Sequence, residues 1–141
     1  MEYENPLYVA EELIGMYMEV HGQSYQITGA EAFEGGKQTP RRECMLKAPG
    51  VLAPMPFRGM HFLNVGTEAA GKPSCVMIRS VRTEEKTFDG PGKVGKELNA
   101  VDLEGLVLGS DVRLNGTTQP SDYINGHEFS GNILGRYNIK D

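Results

Sequence analysis

Glu31 is the residue with the clearest chemical potential. It closes an otherwise apolar run, with Ala30 and Ala32 on either side and Phe33 next. A poorly solvated carboxylate can be tuned toward general-base work, although a lone glutamate at a strand end is far more often a solvated rim residue. Phe57, His61 and Phe62, together with Phe33, offer flat faces on which a base could stack; the core is the ordinary place for such rings, and that reading is favoured for Phe62. Gly90-Pro91-Gly92-Lys93 has the character of a helix start with exposed amides and a nearby ammonium, a seat for a phosphate or simply a helix start. It is not a P-loop, because the Gly-x-x-x-x-Gly-Lys-[Ser/Thr] spacing is absent. No His/Cys cluster has metal spacing and no Ser or Cys sits in a nucleophile motif, so no metal or other cofactor is expected.

These groups need elements to position them. Asn5 as N-cap and Pro6 at the first position predict a helix over Pro6–Met18, with Leu7, Ala10, Leu13, Ile14 and Tyr17 on one face. Two strands joined at His21-Gly22 are expected over Met18–Phe33, with Tyr25, Ile27 and Gly29 alternating. A loop follows over Gly35–Pro40, then a short helix to Leu46. Pro54 and Pro56 confine Val51–Val65 to a sheet edge or a protruding loop. A strand over Ser74–Val81 and a helix from Asp89-Gly90-Pro91-Gly92 to Ala100 complete the regular part, ahead of a weakly alternating stretch and a Gly- and Asn-rich tail. The expectation is one mixed α+β domain over residues 1–141, with no internal repeat and no linker.

Composition agrees with a globule of about 14 Å radius of gyration. The 141 residues are 39% hydrophobic and 23% charged, and no run of about 18 apolar residues suggests a membrane span. The acidic start and two distant cysteines, Cys44 and Cys75, point to a cytoplasmic chain with reduced thiols. The net charge of −5 argues against a nucleic-acid binder. Its distribution argues differently: residues 1–36 hold seven acids and no Lys or Arg, whereas residues 37–96 hold eleven bases against five acids. Folding either gathers these bases into a cationic face for a phosphate-bearing ligand or disperses them.

The order of the fragments carries a resemblance. Leu13-Ile14-Gly15, Glu31-Ala32-Phe33, Gln38-Thr39-Pro40-Arg41, Met45, Pro49-Gly50-x-Leu52, Gly59-Met60-His61-Phe62 with Leu63-Asn64-Val65, Cys75-Val76-Met77-Ile78-Arg79 and Gly90-Pro91-Gly92-Lys93 follow one another. Over residues 7–114 the chain resembles the alkyladenine (3-methyladenine) DNA glycosylase family. Residues 115–141 match less, with only Arg136-Tyr137 similar to the family's C-terminal segment. The resemblance implies a curved antiparallel sheet with flanking helices and a protruding β-hairpin. It also implies that Glu31 activates water for attack on the sugar of a flipped, damaged purine nucleotide. By the same resemblance Phe33 stacks on the base, Asn64 crowds the exocyclic amine of guanine, and Arg79 holds phosphate and water near Glu31. Met55 and His61 fall at the pocket, and Arg41, Arg42, Arg58, Gly92 and Lys93 lie toward the DNA backbone.

The departures are specific. The family's histidine after Glu-Ala-Tyr is missing, Phe33 stands for its tyrosine, Met55 replaces the stacking tyrosine of its hairpin, and Arg58 replaces the tyrosine that wedges into DNA. Two functions follow. One is a purine DNA glycosylase acting on DNA that contains a damaged purine. The other is a catalytically idle protein that sequesters a free nucleotide or nucleotide signal in the same pocket, a role suited to a compact phage version working in the host cytoplasm or nucleoid. A structural domain that kept only the fold is a third reading.

Overall fold

A computed structural model describes residues 1–35, 41–68, 71–128 and 132–141. Asn5 caps the first helix, its side-chain oxygen accepting from the Tyr8 amide, and Pro6 occupies the first turn. That helix, α1 (Pro6–Leu13), ends one turn earlier than its periodicity suggests. Gly15 adopts φ +93° there, a conformation that stops the helix and turns the chain into β1 (Tyr17–Val20). His21 and Gly22 both take positive φ, closing a two-residue turn into the long strand β2 (Gln23–Glu34). Most of the loop expected over Gly35–Pro40, with Gln38-Thr39-Pro40, lies outside the described residues. A short helix, α2 (Arg42–Met45), leads to the hairpin of β3 (Leu52–Phe57) and β4 (Met60–Gly66). Then come β5 (Ser74–Arg82), β6 (Thr87–Asp89), α3 (Pro91–Leu98) and a 3-10 turn over Ala100–Leu103. The chain closes with β7 (Leu114–Asn115), β8 (Ser121–Asn125) and β9 (Ile133–Ile139).

The fold is α+β. Among the described residues nine strands form one antiparallel sheet ordered β3-β4-β5-β2-β1-β7, with β6 paired to β5, β9 to β2 and β8 to β9. Pro54 and Pro56 sit in β3 at the sheet's edge, where a missing N–H costs no ladder bond. The tail supplies β8 and β9, and β9 pairs with the central strand β2 over Gly29–Phe33.

The sheet buries both faces. On one, α1 and α3 cover a core that includes Leu13, Ile27, Ala30, Ala32, Val76, Ile78, Leu98 and Tyr25. On the other, Phe33, Cys44, Met45, Ala53, Met55, Cys75 and Met77 form a smaller, sulfur-rich cluster under α2. Strict alternation from Tyr25 and Ile27 would turn Glu31 into the larger core. Register irregularities on both sides of Gly29 prevent this and rephase the strand, so Ala30 and Ala32 face the helices and Glu31 and Phe33 face away. The local crossing is tied by Thr28 and Ser80, whose hydroxyls lie 2.7 Å apart.

Candidate active site

Residues directly opposed in an antiparallel ladder project to the same face. The registers Asn64↔Met77, Met77↔Glu31 and Glu31↔Arg136 therefore set four side chains in a row across β4, β5, β2 and β9. Glu31 lies at the centre and is only 3% exposed. Its Oε1 accepts from Arg79 Nη1 at 2.9 Å, two residues along β5 from Met77. The pair is asymmetric: the Arg79 side chain keeps 27% of its surface in solvent while that of Glu31 keeps 4%. The guanidinium bond to one oxygen restrains a carboxylate so enclosed, and a directional base needs such restraint.

Asn64 is fully buried and both ends of its amide are engaged. Nδ2 donates to the Phe62 carbonyl at 3.1 Å, and Oδ1 receives the Cys75 thiol at 3.6 Å. It therefore presents fixed bulk beside Met77. Burial pushes the Cys44 thiol up to about 11 and raises that of Cys75 still further, so neither is a thiolate nucleophile near neutrality.

The face of Phe33 on which a base was expected to stack carries Arg41. Its guanidinium carbon lies 3.7 Å from the ring centroid. Nη2 donates to Met77 Sδ at 3.3 Å, and Nε is buried without an acceptor. Burial lowers the Arg41 pKa from the usual guanidinium value, with Cys75 and Glu31 opposing that shift. Phe33 is 4% exposed, and Met55 is buried in the same sulfur-rich cluster. Arg41, expected near a phosphate, thus packs on the Phe33 ring and Met77. Arg42 begins α2 beside it.

His61, Arg58, Gly92 and Lys93 gather elsewhere. Arg58 and Gly59 form the hairpin turn with φ +49° and +80°, closed by the pair Phe57↔Met60. All four tip residues are exposed. Phe57 packs at 5.3 Å on Phe62, and the Arg58 guanidinium lies 5.2 Å from the Phe57 ring. A groove of about 500 Å³ runs along the junction of this tip and α3, lined by Met60, His61, Gly92, Lys93 and Lys96. The expected helix start at Gly90-Pro91-Gly92-Lys93 is there, with Pro91 in the first turn of α3. A larger polar groove of about 670 Å³, lined by Tyr17, Gln26, Arg82, Glu84, Glu85 and Lys86, contains none of the candidate site residues. Glu31 lines neither groove, so the buried carboxylate and its arginines, not cavity size, define the candidate site. Arg136 escaped sequence reasoning as a site residue, because its place beside Glu31 arises only from the pairing of β9. Among the described residues no group of three His, Cys, Asp or Glu could hold a metal ion, and no helix is long and apolar enough to cross a membrane.

Residues 1–127 match the family model described as Methylpurine-DNA glycosylase (MPG). A protein of Wolbachia pipientis subsp. Culex pipiens (strain wPip) is 37% identical over 111 residues, covering 69% of this chain and 61% of that protein. One from Rhodopseudomonas palustris (strain BisB18) is 33% identical over 114 residues, covering 64% and 57%. A third, from Staphylococcus saprophyticus, is 27% identical over 154 residues, covering 89% and 75%. All three are provisionally named 3-methyladenine DNA glycosylases. The chain spans less than two thirds of the length of the first two.

Proposed function

The chain belongs to the methylpurine-DNA glycosylase family, and on that premise we propose that it hydrolyses the N-glycosidic bond of a damaged purine in DNA. The observation that carries the reading is the ion pair of buried Glu31 with partly exposed Arg79, on a sheet face lined by Phe33 and Asn64. Glu31 takes a proton from water as the water oxygen bonds to the anomeric sugar carbon and the carbon–nitrogen bond to the purine breaks. Its charge also stabilises the oxocarbenium-like sugar. Arg79 holds the carboxylate and meets an adjacent phosphate. Asn64, locked by Phe62 and Cys75, rejects a purine with an extra exocyclic amine by its volume.

The base has to leave the stack to reach this face. The exposed hairpin tip, with Phe57 and Met60 flanking Arg58, is the element that fills the gap, and Lys93 follows the backbone. In a base-release assay on duplex DNA containing hypoxanthine or an alkylated purine, Glu31→Gln is expected to slow release by about a hundredfold or more while DNA binding persists. Release undiminished by that substitution, or none from the parent protein, defeats the reading.

One observation favours a second reading, capture of a free nucleotide. Arg41 already covers the Phe33 ring, and with Arg79 it places two guanidinia beside one carboxylate, a balance suited to a phosphate. Thermal stabilisation by free nucleotides and not by damaged DNA is the result that would favour it.

A further inference from the structure

We infer that Arg136, in a segment beyond the family match, is a positioning residue for Glu31, acting from the side of β2 opposite Arg79. Register is the first ground. β2 and β9 pair without a break from Gly29↔Asn138 through Ala30↔Tyr137 and Glu31↔Arg136 to Ala32↔Gly135. The next irregularity comes only after Ala32. Directly opposed antiparallel residues place their Cβ atoms about 5 Å apart on one face, well within reach of an arginine side chain. The neighbours confirm the phase, since Tyr137 packs against the larger core with Ala30. Arg136 accordingly stands on the Glu31 face, partly buried.

Demand is the second ground. A carboxylate offers about four acceptor directions, and Arg79 Nη1 occupies one at Oε1. With Glu31 almost entirely withdrawn from water, its remaining capacity calls for protein donors. Arg79 reaches the carboxylate from β5, and Arg136 stands at the paired position on β9, across the strand from it. Two cations flanking one carboxylate restrict its rotation more than either does alone.

The inference rests on Glu31 being the working carboxylate, and its test separates the two. Melting temperatures of the parent, Glu31→Gln, Arg136→Met and the double variant form a cycle that requires no activity. Arg136→Met keeps most of the side-chain volume, and circular dichroism checks that each variant folds. Coupling predicts that Arg136→Met lowers the melting temperature by several degrees in the parent and clearly less in the Glu31→Gln background. In the base-release assay, Arg136→Met is expected to lower kcat about tenfold to a hundredfold, with KM for DNA nearly unchanged and most of kcat recovered by Arg136→Lys. Additive melting shifts overturn the inference. So does coupling with an unchanged kcat, which would make the pair structural, or a change confined to KM, which would make Arg136 a DNA contact. A parent protein that releases no base defeats the glycosylase reading, and the melting cycle then decides alone whether Arg136 holds Glu31.

Discussion

Arg41 has surroundings that suit its charge poorly. A guanidinium on a ring face with a thioether as a hydrogen-bond acceptor gains cation–π energy and packing, but its buried Nε has no acceptor. Replacing this partly buried guanidinium with an apolar side chain of similar length removes its desolvation cost along with the cation–π contact. Arg41→Met is therefore expected to leave the melting temperature unchanged or raised, while weakening the binding of nucleotide or DNA phosphates. A fall of several degrees would show that the guanidinium stabilises the sulfur-rich cluster more than its burial costs. The cysteines in that cluster give a pH dependence. The folded state holds the Cys44 thiol at about 11 against an ordinary 9.0, and Tyr25, desolvated and donating to Glu97, rises to about 12 from 10.0. Both groups bind their protons more tightly when folded. Their contribution is fully present below about pH 9 and is lost as pH climbs through the folded values. Melting temperature should accordingly fall between about pH 9 and 12, and Cys44→Ala should flatten the lower part of that fall. An unchanged profile in the variant would assign the loss elsewhere.

The hairpin and α3 are held together by glycines at close approach. A Cβ on Gly95 would overlap the His61 carbonyl, while one on Gly92 would meet Met60 Sδ at 2.5 Å. Backbone cannot yield as a thioether can. Gly95→Ala is expected to destabilise by about 2–3 kcal/mol and to displace the hairpin tip, and Gly92→Ala to cost clearly less. Equal losses in thermal unfolding would contradict the difference in neighbours. The sequence made several of these elements legible where local chemistry is strong. The Asn5-Pro6 start, the His21-Gly22 turn, the proline-marked edge strand and the Gly90-Pro91 helix start all appear as read. It misled where tertiary context decides. The end of α1 follows Gly15, where an added Cβ would strike Gln119 from a distant segment. The face of Glu31 depends on the irregularity around Gly29, where a Cβ would meet Ser80 Oγ at 2.6 Å. β9 alternates too weakly to announce itself, since both its faces are half-covered. Arg136 was therefore hidden, and so was the burial of Phe33 beneath Arg41.

Across the whole molecule the question is how a chain of net charge −5 would hold a polyanion. The cationic middle of the sequence survives folding only in part. Arg82 pairs with Asp141 at 2.9 Å and Lys86 lies over Phe88, both lining the polar groove that also holds Glu84 and Glu85. Arg58, Lys93 and Lys96, by contrast, take part in none of the ion pairs found among the described residues; Lys93 and Lys96 line the tip–α3 groove, and Arg58 sits on the hairpin turn next to Gly59 at its edge. Local charge of this kind, set in an acidic molecule, makes binding strongly dependent on salt, because each phosphate neutralised releases a counterion. Arg58→Ala should therefore weaken binding to damaged and undamaged duplex alike and reduce the magnitude of the log–log salt slope by about 1. Phe57→Ala removes no charge. It should leave the slope unchanged and weaken only the duplex in which a base has to leave the stack. Titrations of both variants over a salt series separate the two contributions. If Arg58→Ala left the slope intact, or Phe57→Ala weakened all duplexes equally, the tip would not be the element that enters DNA, and the nucleotide-capture reading would gain the stronger claim to the Glu31 face.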